Sequence, residues 1–115
     1  MSVLPANSLE LTPQEIKSLR ECGEPVFLID VREQNEWALA HIEGATLIPM
    51  GSVPANLQTI ESKADEGTLI VYCHHEVRSL HVVAWLRERG VVPCYSMSGG
   101  IDRWSREIDP SVSQY

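Results

Sequence analysis

The sequence predicts an α/β domain with a largely parallel sheet. Three observations carry this. Short apolar runs of strand length alternate with segments of helical spacing along the chain. The two clearest runs, "PVFLID" and "TLIVYC", are apolar without alternation, the pattern of strands covered on both faces. The 115 residues suffice for one core and not for two ordinary domains. Residues 1–115 are therefore read as one domain with its core over about 8–108 and short tails.

The elements follow in order. In "TPQEIKSLRECG", Thr12 can cap a helix, Pro13 suits its first position and Glu15 completes a capping box. Ile16 and Leu19 give its buried stripe, and Gly23 a left-handed stop. "PVFLID" is a strand ending at Asp30. "REQNEWALAHIEG" reads as a short helix carrying Trp37 and Leu39, then a turn at Gly44. "ATLIP" is a second short strand stopped by Pro49. Ser52 caps a predicted helix through "VPANLQTIES", and "ADEG" reads as a surface turn. "TLIVYC" is a strand with Cys73 at its C-terminal end. "SLHVVAWLRERG" is the clearest helix, with Ser79 as its cap, Leu80, Val83, Ala84 and Leu86 near helical spacing, and Gly90 as its stop. "CYSM" is the last strand, "SGG" a tight turn and "IDRWSREI" a final short helix.

Composition excludes several function classes. The net charge of −7 is spread along the chain, so no basic patch speaks for nucleic acid. No stretch approaches the roughly 18 apolar residues of a membrane helix, and "MSVLPANSLELTPQ" has neither the basic region of a signal peptide nor an anchor. Cys22, Cys73 and Cys94 cannot all pair within one chain and share no CxxC spacing, which points to free thiols in a reducing compartment. A cytoplasmic protein without nucleic-acid or membrane partners is expected.

The chemistry concentrates in "VYCHHEVRS". A cysteine between a buried strand and a helix lies where loop and helix N–H groups point at one spot. That field favours thiolate, the nucleophilic form. Arg78 can fold back over the pocket and hold an anion with its planar fork. In parallel sheets ligands sit beyond the C-terminal strand ends, and Asp30 lies at such an end too. The C-x4-R loop therefore has the parts to attack an electrophilic sulfur, phosphorus or arsenic centre, and these parts alone do not separate the three.

Four stretches, in order and normally spaced, resemble the single-domain rhodaneses, the thiosulfate sulfurtransferase family. "FLIDVREQNEWALAHIEGATLIP" is similar to its first signature, "VYCHHEVRS" to its active loop C-x-x-G-x-R-S, "SLHVVAWLRERG" to the helix that follows, and "SGGIDRW" to its closing Gly-Gly-x-x-x-Trp element. The resemblance implies about five strands flanked by helices on both faces. It also implies transfer of a sulfane sulfur through a Cys73 persulfide, from thiosulfate or a persulfide donor to cyanide, a thiol or a protein acceptor. No cofactor is implied. The related phosphatases and arsenate reductases carry a seven-residue loop, whereas "CHHEVR" has six, which favours sulfur.

The residues this assigns are Cys73 and Arg78 as catalytic, and His74, His75, Glu76, Val77 and Ser79 as the active loop. Asp30 and Arg32 are supporting; Arg78 is read as holding the loop by pairing with Asp30, and His41 as ordering a turn. Adjacent histidines beside one cysteine do not readily complete a tetrahedral set, so no metal is expected. Trp37, Trp85 and Trp104 are read as core, His81 as surface or packing, and Cys22 and Cys94 as structural thiols. Glu76 is the departure, standing where the family usually has glycine, a residue that permits conformations a side chain resists. Its carboxylate also opposes a thiolate and an anionic donor. Either it turns outward and transfer persists, or the loop is reshaped and the domain is a weakly active or inactive module for protein binding or regulation.

Overall fold

The computed structural model describes residues 8–115; the N-terminal tail over 1–7, the first half of the stretch read for a signal peptide, lies outside the described residues. Five parallel strands form one sheet: β1 (Glu10–Leu11), β2 (Val26–Asp30), β3 (Thr46–Leu47), β4 (Thr68–Tyr72) and β5 (Cys94–Met97), in the order β1-β5-β4-β2-β3. Five helices connect or follow them: α1 (Pro13–Glu21), α2 (Gln34–Leu39), α3 (Leu57–Glu66), α4 (Val77–Glu88) and α5 (Gly100–Glu107).

The register explains why β2 and β4 lack alternation. Leu28 pairs with Ile70 and Ile29 with Val71. Successive side chains point to opposite faces, so each pair supplies one of two cores. Ile29, Val31, Leu69 and Val71 pack with Ile60 of α3 and Val82, Val83 and Leu86 of α4. Leu28, Ile70, Tyr72 and Met97 pack with Ile16 and Leu19 of α1 and Ile101 and Trp104 of α5. The expected capping box on α1 is present, with Glu15 N–H donating to Thr12 Oγ1 at 3.1 Å and Thr12 N–H to Glu15 Oε1 at 2.8 Å.

Several elements differ from the reading. β1 was not expected; its two residues are too few to show a period. "ADEG" is not a turn: Ala64 to Glu66 complete α3, because Ala64 lies on its buried face. Ser52 caps no helix, since two 3₁₀ turns, Met50–Ser52 and Pro54–Asn56, precede α3. α4 begins two residues before Ser79 and buries Ser79, Val82, Val83 and Leu86, so the buried stripe differs from the expected one. α2 buries no residue, and Trp37 stacks on His41 with ring centroids 3.9 Å apart instead of entering the core. Trp85 packs half-buried against the core, Trp104 is buried, and His81 is exposed.

Candidate active site

Cys73 is the first residue beyond β4 and is buried. Its Sγ accepts the Ser79 N–H at 3.4 Å and lies 3.5 Å from Ser79 Oγ. That N–H belongs to the first turn of α4, where backbone donors have no partner within the helix, so the helix offers Cys73 a donor suited to an anion. Ser79 is therefore not the cap the sequence suggested. Its hydroxyl donates to Glu76 O at 3.1 Å and meets Ser96 Oγ at 2.7 Å, which fixes it beneath the sulfur.

The loop is held from behind by α5. Ile101 N–H donates to Cys73 O at 2.9 Å and Asp102 N–H to His74 O at 3.1 Å. In a trans peptide the C=O and the following N–H point in opposite directions. The N–H groups of His74 and His75 are thus turned away from α5. Gly100 makes the contact close: a Cβ there would meet the carbonyl oxygens of His75, His74 and Cys73, the last at 2.6 Å. Its φ of +62° also favours glycine.

Glu76 does not occupy a left-handed conformation; its φ is −166°. Its Oε2 accepts the Gly99 N–H at 2.8 Å, so the carboxylate is used to tie the loop to the turn before α5. Glu10 of β1 lies beside it, and burial, followed by the Glu76 charge, pushes the Glu10 carboxyl above its usual range.

The expected pairing of Arg78 with Asp30 is not formed. Arg78 Nη1 and Nη2 donate to Glu36 Oε1 and Oε2 at 2.7 and 3.0 Å. Asp30 is taken by Arg32, two residues on, with both side chains wholly buried and Nη2 2.7 Å from Oδ2. Arg32 also donates to Ala40 O at 2.6 Å and to the Tyr115 hydroxyl at 2.7 Å. Burial disfavours its charge, but the bonds to Asp30 and Tyr115 overcome this and raise its pKa. Arg32 is thus a strut under the site. Glu36, the residue sequence reading missed, is held down to about 2 chiefly by the Arg78 fork, against a smaller opposing effect of burial.

Tyr115 was also missed. Its hydroxyl donates to Glu36 Oε2 at 2.9 Å, and its ring stacks on His74 at 4.1 Å. His74 in turn stacks on His75, which is exposed; burial first, and then His75, lower the His74 pKa. Val77 stands exposed at the start of α4. His41 orders a turn as expected, its Nδ1 3.1 Å from Trp37 O. All three cysteines are free thiols: Cys22 is exposed at the end of α1, and burial pushes Cys94 up to about 12. Among the described residues no helix is long and apolar enough to cross a membrane.

The sequence profile of the rhodanese-like domain matches residues 12–107. The chain belongs to the rhodanese-like domain family. Among curated rhodanese relatives, the thiosulfate sulfurtransferase GlpE of Haemophilus influenzae is 33% identical over 106 residues, spanning 92% of this chain and 96% of that protein. The probable adenylyltransferase/sulfurtransferase MoeZ of Mycobacterium tuberculosis is 30% identical over 110 residues, 96% of this chain. This chain spans only 28% of MoeZ and 25% of the maize adenylyltransferase and sulfurtransferase MOCS3-1. A rhodanese-like domain protein from Staphylococcus aureus superposes with a TM-score of 0.76 at 29% identity, over 92% of this chain and 97% of that one.

Proposed function

We propose that this rhodanese is a sulfurtransferase that carries sulfane sulfur on Cys73. The observation that carries the reading is the placement of Cys73 Sγ against the Ser79 N–H at the start of α4, in a loop whose carbonyls are bonded to α5. The loop N–H groups of residues 74 and 75 are then available to negative charge, as an oxyanion hole is. The named activities of GlpE and MoeZ agree with it.

In the first step the Cys73 thiolate attacks the outer sulfur of thiosulfate. A sulfur–sulfur bond forms as the donor's own breaks, sulfite leaves with the electron pair, and Cys73 holds a persulfide. In the second step a thiolate or cyanide attacks that outer sulfur, and the Cys73 thiolate departs. With its fork taken by Glu36, Arg78 acts by holding the start of α4 against α2, and the backbone donors stabilise the transferred sulfur. Thiosulfate is the small donor, and cyanide or a thiol, that of a protein included, is the acceptor. A reducing, cytoplasmic setting suits the three free thiols.

The test is thiocyanate formation from thiosulfate and cyanide, with p-nitrophenyl phosphate hydrolysis alongside. Turnover of the first that is lost in Cys73→Ser supports the reading. Hydrolysis of the second that depends on Cys73, without thiocyanate, replaces it with a phosphatase. Neither activity leaves the binding-module reading.

A further inference from the structure

The adjacent histidines of the loop gain a third partner that the sequence keeps distant. Asp102, in the first turn of α5, is tied to the loop through its own N–H, which donates to His74 O at 3.1 Å. One ligand atom from each of His74, His75 and Asp102 lies within 4.8 Å of the other two. In a tetrahedral zinc site with bonds of about 2.0–2.1 Å, neighbouring ligand atoms stand about 3.4 Å apart. His75 is exposed, so its ring is free to turn toward that spacing, while the Asp102 side chain, only 21% exposed, is held in place by Arg106.

We infer that His74, His75 and Asp102 form a binding site for a divalent transition-metal ion of zinc's class. Two imidazole nitrogens and one carboxylate oxygen suit zinc and its neighbours, whereas magnesium and calcium take oxygen ligands. Three ligands leave a further position open to solvent or to a soft anion. The surroundings orient the donors. His74 is sandwiched between Tyr115 and His75, with ring centroids 4.1 and 4.2 Å away. Arg106 Nε and Nη2 both contact the same Asp102 oxygen, Oδ2, each at 3.1 Å. That orients the carboxylate and leaves its other oxygen for an ion. His75 is exposed, so an ion reaches the site from solvent.

The test is isothermal titration of the full chain with zinc chloride in a Cys22→Ser, Cys73→Ser background. This background removes the exposed thiol and the loop thiol as competing ligands, and makes the readout independent of sulfur transfer. One zinc per chain is expected, weakened about tenfold or more by each of His75→Ala and Asp102→Asn, and unchanged by His81→Ala on the exposed face of α4. Cobalt(II) added to the same background gives visible bands of a low-coordinate site, lost in His75→Ala. The exposed His75 tolerates substitution, so His75→Ala decides the matter if Asp102→Asn does not fold. Absence of zinc binding, or binding unchanged in His75→Ala, overturns the inference.

Discussion

Arg78 and Glu36 form a two-pronged ion pair that joins the start of α4 to α2, with N···O distances of 2.7 and 3.0 Å. Glu36 is lowered from 4.5 to about 2, so its stabilisation is present above the unfolded value and is lost as pH falls through the folded one. Glu36→Gln should cost about 1–2 kcal/mol near neutral pH, less than the full shift implies because Arg78 is one-third exposed. Urea unfolding of both proteins should show the gap closing as pH falls from 4.5 toward 2. A gap that is constant with pH contradicts the assignment.

Glu76→Gly restores the family's usual residue, yet the structure gives glycine no advantage there. Glu76 has φ of −166° and accepts the Gly99 N–H. The substitution should lower stability by about 1–2 kcal/mol, as a hydrogen bond to a charged group is lost, with no gain in the rate of sulfur loading. A several-fold gain in stopped-flow loading with thiosulfate would show that the carboxylate obstructs the loop.

Gly100→Ala places a methyl group against three loop carbonyls at a φ of +62°. Those oxygens are backbone, so the loop itself must shift. About 2–3 kcal/mol of destabilisation is expected, with slower sulfur loading because the bonds to Cys73 O and His74 O are disturbed. Thermal midpoints and loading rates measure both, and an unchanged loading rate argues against loop anchoring by α5.

Ser79→Ala keeps the N–H that meets Cys73 Sγ and removes the hydroxyl, leaving Ser96 Oγ and Glu76 O without it. A cost of about 1–2 kcal/mol and a loading rate reduced only a few-fold are expected. Complete loss of loading would move the stabilising role from the backbone donor to the hydroxyl.

The parts of this site that follow local rules were legible in the sequence. Continuous apolar runs mark β2 and β4, and a cysteine between β4 and α4 marks the loop. What lies across tertiary contacts was not. Glu36 is the one carboxylate within α2, close to Glu33 at its start, and nothing local distinguishes it as the partner of Arg78. Asp30 and Arg32 could be placed beside the site, but only the fold shows that they satisfy each other in the interior. Asp102 and Tyr115 reach the histidines because α5 and the segment after it return to the C-terminal ends of the strands.

The central claim is a covalent sulfur on Cys73, and intact mass after incubation with thiosulfate tests it most directly. The account predicts a gain of about 32 Da, one sulfur, removed by cyanide and absent in Cys73→Ser. A wild-type chain whose mass is unchanged, or a gain that persists in Cys73→Ser, contradicts it.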